Sequence, residues 1–230
     1  MIGETIHVNR RVTQSGFRAF DYARACGRRL NTYVVVNLPD KAEQGAVTAF
    51  RRIRHKFRDW LANCAAKLGF RVPPTYVYVF ENPDGSMHVN WAVHVPAPLK
   101  CEFAKKLSAW VRKTLGREPS PFDIKVKPID DAYAKKLAKY IFKGTDPHYV
   151  THFHLQDDHA PQGKVVGKRA GISPSVGIKA RSKAGFHPGR RPYVPLPIRP
   201  ATAGPCVVEC PKPGLRDAPV DTTASARSAQ

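Results

Sequence analysis

The succession of hydrophobic and polar positions predicts alternating strands and helices. Residues 31–39 are a nearly continuous β-branched run, which is typical of a buried strand. Residues 41–68 carry apolar side chains at spacings of three and four, which predicts a long amphipathic helix. A second strand over 74–83 and a third over 85–96 are joined by a Pro-Asp-Gly turn, which predicts a hairpin.

The following segment continues this succession. A helix is predicted over 99–115, and the alternating residues 122–129 predict a fourth strand. Paired aspartates open the segment 130–144 and a glycine closes it, as expected for a helix. The order of elements predicts an α+β fold with one antiparallel sheet of the split βαβ, ferredoxin-like type. We expect the helices over one face of this sheet, with the other face free for a ligand.

The ends of the chain differ in character from the part between them. Residues 1–30 form a basic N-terminal segment, with helical character around 17–26. The folded domain is predicted over 31–180. Residues 185–230 are rich in proline and end in small polar residues, so we expect them to be disordered.

Charge and cysteine content narrow the class of partner. The chain has 38 Lys and Arg against 18 Asp and Glu, a net charge of +20, which favours a polyanion such as nucleic acid. Five scattered cysteines, an odd number, indicate a reduced compartment. No apolar run approaches the roughly 20 residues of a membrane span, and no signal-peptide region opens the chain, so we expect a cytoplasmic protein with no membrane partner.

Three polar side chains interrupt the third predicted strand on one face. His88, Asn90 and His94 occupy even positions, and side chains two apart in a strand project to the same side. The hairpin brings Glu81, at the end of the preceding strand, back toward His88. Glu81, His88 and Asn90 form a mixed nitrogen and oxygen donor set that suits Mg²⁺ or Mn²⁺. Alternatively, Glu81 is a turn residue, and the other two side chains face solvent.

The last predicted helix carries a tyrosine and a lysine that share one helix face. Tyr140 and Lys143 are three residues apart. A tyrosine hydroxyl can attack a phosphodiester, and a neighbouring ammonium stabilises the developing charge. The alternative is that Tyr140 packs on the sheet edge and Lys143 is a surface charge near the helix end.

Together, the stretches His88-Val89-Asn90 and Lys139-Tyr140-Ile141-Phe142-Lys143 resemble the HUH endonucleases, and among them the single-tyrosine rolling-circle replication initiators. The resemblance covers residues 31–144. It implies a metal-dependent, site-specific DNA endonuclease and strand transferase. Tyr140 would be the nucleophile, and Lys143 its electrostatic helper. Glu81 and His88 would bind metal, with Asn90 in the place of the family's second histidine.

The resemblance also implies partners and further contacts. Single-stranded or hairpin origin DNA would be cut to leave a 5′-phosphotyrosine and a free 3′-hydroxyl, with host helicase and polymerase as partners. Lys139 and His94 would contact DNA or lie behind the metal ligands, and His94 could instead be a core histidine near the strand end. Apart from the resemblance, Lys168 and Arg169 lie in a glycine-rich basic segment that we expect to touch the DNA backbone or to lie behind the metal ligands. His94 lies about 13 Å along the strand from Asn90, too far to share the ion easily.

Two alternatives remain open at the level of sequence. The segment 152–159 has His-x-His spacing and could place a histidine near the metal. Because Asn90 is a weaker ligand than histidine, the same scaffold could also belong to a basic DNA-binding regulator without catalytic activity.

Overall fold

A computed structural model describes residues 3–38 and 43–186 of the chain. The proline-rich segment over 185–230, which the sequence predicts to be disordered, lies outside the described residues except for its first two positions. The described residues form an α+β fold around a five-stranded antiparallel sheet, as predicted.

The described residues contain one large sheet and one small one. Their strands are β1 (Glu4–Thr5), β2 (Thr32–Asn37), β3 (Tyr76–Glu81), β4 (His88–Val93), β5 (Ile124–Pro128), β6 (Val165–Val166) and β7 (Ala170–Ile172). The large sheet has the order β5-β2-β4-β3-β7, and every neighbouring pair in it is antiparallel. Strands β1 and β6 pair separately. The two strands β6 and β7 come from a segment whose sequence shows no period, so they were not predicted.

Helices cover both faces of the large sheet. They are α1 (Arg10–Ala25), α2 (Glu43–Lys67), α3 (Lys100–Leu115), α4 (Asp131–Ile141) and a short α5 (Ile178–Lys183). On one face α2 and α3 pack an aromatic core around Trp91 of β4. On the other face α1 and α4 pack against β2, β3 and β4. The expectation of helices on one face and an open second face was therefore wrong.

Helix α1 forms part of the helical layer on this second face. It begins at Arg10, earlier than the helix predicted around residues 17–26, and it packs against the sheet. Ala19 and Ala23 are fully buried against the sheet, together with Leu137 and Ile141 of α4. Residues 10–25 therefore belong to the packed core and do not form a separate basic segment. Gly16 explains the close approach of α1, since a Cβ there would lie 2.0 Å from Cζ of Phe142.

Helix α4 begins as predicted but ends early. The side chain of Asp130 accepts a hydrogen bond from the backbone N–H of Tyr133 at 2.6 Å, which caps the first turn. The helix ends at Ile141, so Lys143 lies in the turn that follows rather than in the helix. A hydrogen bond from Lys143 N to Tyr140 O continues the helical course, and the two side chains stay close.

In the described residues, no helix combines the length and the apolar character that crossing a bilayer requires.

Candidate active site

The β3–β4 hairpin places Glu81 directly opposite His88 in the sheet. Asp84 and Gly85 make the turn with positive φ values of 53° and 80°, a conformation that glycine adopts without strain. The carboxylate comes back to the imidazole as the sequence predicted, with Glu81 Oε2 3.0 Å from His88 Nε2. The second ring nitrogen, His88 Nδ1, lies 3.0 Å from the carbonyl oxygen of Ser86.

The end of α4 brings the predicted nucleophile and its helper to the same carboxylate. Lys143 Nζ lies 3.0 Å from Glu81 Oε2 and 3.9 Å from the ring centroid of Tyr140. Glu81 is buried, whereas Tyr140 is 42% exposed and so open to a ligand. The structure therefore joins Glu81, His88, Lys143 and Tyr140 in one cluster, which we call the carboxylate cluster.

Asn90 lies beside this cluster, but its side-chain oxygen already accepts a hydrogen bond from another residue of the protein. The hydroxyl of Tyr33, on β2, donates to Asn90 Oδ1 through a short hydrogen bond. Both side chains are buried, and the Tyr33 ring packs edge-on against Tyr140 at 6.5 Å. Burial raises the pKa of Tyr33 well above its usual range, and the nearby Tyr140 and Glu81 raise it further, so the hydroxyl keeps its proton.

Tyr33 is the site residue that sequence reasoning missed. It is the one tyrosine in the β-branched stretch of β2, whose residues otherwise read as core. A hydroxyl in such a stretch was the available signal, because a buried hydroxyl needs a hydrogen-bond partner. Its partner comes from another strand, 57 residues along the chain.

The predicted metal ligands do not fit a divalent cation as they are arranged. One carboxylate oxygen of Glu81 already contacts an imidazole and an ammonium, and the nitrogen of His88 nearest to it points at that oxygen. The oxygen of Asn90 accepts the Tyr33 hydroxyl. Among the side-chain atoms of these three residues, Glu81 Oε1 and Asn90 Nδ2 are buried without a hydrogen-bond partner, and of these two atoms the carboxylate oxygen is the possible cation ligand. A cation on Glu81 Oε2 would have to displace the ammonium of Lys143.

His94 lies beyond the end of β4 and outside the carboxylate cluster. Its Nδ1–H donates to the carbonyl oxygen of Arg29 at 2.9 Å, which ties the strand end to the loop after α1. Burial lowers the pKa of His94, and the positive charges of Arg28, Lys100 and Arg29 lower it further, although the hydrogen bond opposes this. The geometry agrees with a histidine that supports the fold at the strand end.

Arg169 is buried, and its guanidinium is engaged within the protein. Its guanidinium donates to backbone carbonyls of Thr5, Phe80, Gln162 and Gly163. Burial lowers its pKa to about 10, and the carboxylate of Glu81 opposes that shift. It joins the N-terminal strand β1 to the segment that precedes β7, which corrects the expectation of a phosphate contact.

In the part of the chain that the structure describes, the side chains of the other predicted contact residues form no hydrogen bond or ion pair with the carboxylate cluster. Lys168 is exposed, and Lys139 is partly buried along a groove between α1 and α4. His152 and His154 are both exposed. Across residues 3–38 and 43–186, no group of three or more His, Cys, Asp or Glu side chains is placed to hold a metal ion.

Comparison with protein-family models and with curated protein sequences finds no match for this chain.

Proposed function

We propose that the protein is a strand transferase that initiates rolling-circle DNA replication, with Tyr140 as the nucleophile on single-stranded origin DNA. The observation that carries the proposal is the position of Lys143, within 3.9 Å of the Tyr140 ring centroid and 3.0 Å of Glu81. Tyr140 is exposed at the edge of a cluster that is otherwise largely buried. An accessible tyrosine beside a fixed ammonium supports attack on a phosphodiester.

The proposed reaction exchanges one phosphodiester for another. The phenol of Tyr140 loses its proton as its oxygen bonds to phosphorus, and the bond from phosphorus to the 3′ oxygen breaks. The 3′ oxygen takes up a proton and leaves as a free 3′-hydroxyl, while the 5′ phosphate remains on the tyrosine. The reverse reaction rejoins a strand, because the bond energy is kept in the phosphotyrosine.

In this proposal Glu81 acts on the reaction through Lys143. Its buried carboxylate holds the ammonium over the Tyr140 ring, where positive charge stabilises the negative phosphoryl group in the transition state. Glu81 is thus a positioning residue, and His88 holds the same carboxylate from the other side. The side chains of Glu81, His88 and Asn90 are engaged with other protein groups. Whether the reaction requires Mg²⁺ or Mn²⁺ is therefore to be measured.

The proposed partners follow from the products of the reaction. A free 3′-hydroxyl is a primer for a host polymerase, and a host helicase would supply the unpaired strand. The net charge of +20 supports a DNA substrate, because neutralising phosphates releases counterions.

Covalent capture of DNA tests this function directly. Wild type, Tyr140→Phe and Tyr133→Phe are incubated with labelled single-stranded and hairpin oligonucleotides in Mn²⁺ or in EDTA, then separated on denaturing gels. We expect an adduct for wild type and for Tyr133→Phe, a control on the same helix, and none for Tyr140→Phe. Mass spectrometry should locate the nucleotide on Tyr140. An adduct that persists in Tyr140→Phe would refute the assignment.

A second function is favoured by the engagement of Asn90 and Glu81 with protein groups. A basic DNA-binding regulator on the same scaffold needs no metal and no free nucleophile. It predicts salt-sensitive DNA binding that is equal in Mn²⁺ and EDTA, with no adduct on any cognate oligonucleotide.

A further inference from the structure

The outer strand of the sheet presents two lysines on the same face as the candidate site. Lys125 and Lys127 of β5 are exposed, and they pair in register with Val35 and Tyr33 of β2. Residues paired across neighbouring strands project to the same side of a sheet. Both lysines therefore project to the face that carries Tyr33 and Asn90, and not to the face covered by α2 and α3.

The register also sets how many strands separate Lys125 and Lys127 from the residues of the candidate site. Neighbouring strands lie about 4.8 Å apart, so the Lys127 backbone is one strand from Tyr33, and the Lys125 backbone is two strands from Asn90. The Tyr33 ring in turn contacts Tyr140. Lys136, exposed on α4, lies one helical turn before Tyr140 and so on the same side of that helix.

These three lysines are not neutralised by nearby acids. In the part of the chain that the structure describes, no ion pair involves Lys125, Lys127 or Lys136. The acids at the start of α4 are engaged elsewhere: Asp130 caps the helix, and Asp131 pairs with Arg29 at 2.8 Å. The edge is therefore a locally positive rim beside an exposed tyrosine.

We infer that Lys125 and Lys127 bind the backbone of the DNA strand as it leaves Tyr140, and that Lys136, one helical turn before Tyr140, adds positive charge to this path. This inference rests on the proposed function and adds the path of the substrate to it. The occupant is single-stranded DNA, because an edge strand with two lysines in line offers point charges to successive phosphates and no groove for a duplex.

Lysines on an edge strand have another common role, which the test must separate. They prevent a second molecule from pairing with the open edge, and in that role they do not affect DNA affinity. Their loss would then promote self-association alone.

The test compares two double variants that remove equal charge from opposite faces of the sheet. Lys125→Gln with Lys127→Gln changes the rim, whereas Lys105→Gln with Lys106→Gln changes exposed lysines on α3, over the other face. The affinity of the full chain for a labelled mixed-sequence oligonucleotide is measured by fluorescence anisotropy in EDTA, and every protein also carries Tyr140→Phe so that strand cleavage does not interfere. The chain with Tyr140→Phe alone is the wild-type reference. Salt is varied from about 50 to 200 mM, and light scattering monitors self-association.

We expect the rim variant to lose affinity on the order of tenfold, with the salt slope reduced by about 1.4 for two lost phosphate contacts. The α3 variant should keep an affinity and slope close to wild type. Equal effects of the two variants would overturn the inference, as would self-association of the rim variant with unchanged affinity. Because binding is measured without cleavage, either result is independent of whether Tyr140 forms an adduct.

Discussion

Lys143 Nζ and Glu81 Oε2 lie 3.0 Å apart, and this pair joins the turn after α4 to the end of β3. The ammonium places a positive charge beside the one buried carboxylate of the site. It also lies over the ring of Tyr140. Through Lys143, a change at the Glu81 carboxylate would therefore alter the positive charge beside Tyr140.

The first prediction concerns metal affinity. Lys143→Gln should bind Mn²⁺ about tenfold more tightly than wild type, because it removes a positive charge that competes for Glu81. Lys139→Gln is the matched control, since it removes a charge from the last turn of α4, and Lys139 makes no ion pair with Glu81 in the described residues. Isothermal titration calorimetry measures both affinities. Equal or weaker binding to Lys143→Gln would show that the ammonium does not compete with the ion.

The second prediction concerns the Tyr33–Asn90 hydrogen bond. Tyr33→Phe leaves the buried Asn90 oxygen without a donor, so we expect the free energy of unfolding to fall by about 1–3 kcal/mol. Adding Asn90→Leu to it removes the unsatisfied group and should recover part of the loss. Urea denaturation of both single variants and the double variant measures the coupling. Additive effects would contradict the assigned pair.

The third prediction concerns the pH dependence of stability at His94. Its folded pKa lies below the usual 6.5, so the folded state binds this proton less readily than the unfolded chain does. The stability that neutral His94 contributes is complete above about pH 6.5 and is lost as the pH falls below it. His94→Asn can still donate to the Arg29 carbonyl but does not titrate. Thermal unfolding from about pH 7.5 to 5.5 should therefore show a smaller loss for this variant than for wild type.

The fourth prediction concerns the contact between α1 and the turn that carries Lys143. Gly16→Ala places a methyl group against the buried ring of Phe142, so we expect a loss of about 1–3 kcal/mol in stability. The higher helix propensity of alanine offsets at most about 1 kcal/mol of this loss in stability. Phe142→Leu supplies space and should reduce the cost of Gly16→Ala in a double variant. A Gly16→Ala protein as stable as wild type would show that the ring moves aside freely.

Much of the local architecture is encoded in short-range pattern. Spacing alone predicted the strand pairing of β3 with β4, the amphipathic α2 and the capped start of α4, since each depends on residues a few positions apart. The same signals placed Glu81 opposite His88, because a tight hairpin fixes its own register.

Tertiary structure decided how those elements meet. The second helical layer depends on Gly16 and small residues of α1, which carry little periodic signal, so the covered face was not predicted. The contacts of Tyr33 with Asn90 and of Lys143 with Glu81 join residues 57 and 62 positions apart, and Arg169 reaches residues up to 164 positions away. Polar groups buried by packing must find partners, and which partner lies within reach is set by the fold, not by spacing along the chain. The sequence by itself therefore determined which chemical groups the protein carries, on which strand or helix they lie, and how Glu81 meets His88 within one hairpin. The contacts between distant elements were fixed only when the sheet assembled and the two helical layers closed over it.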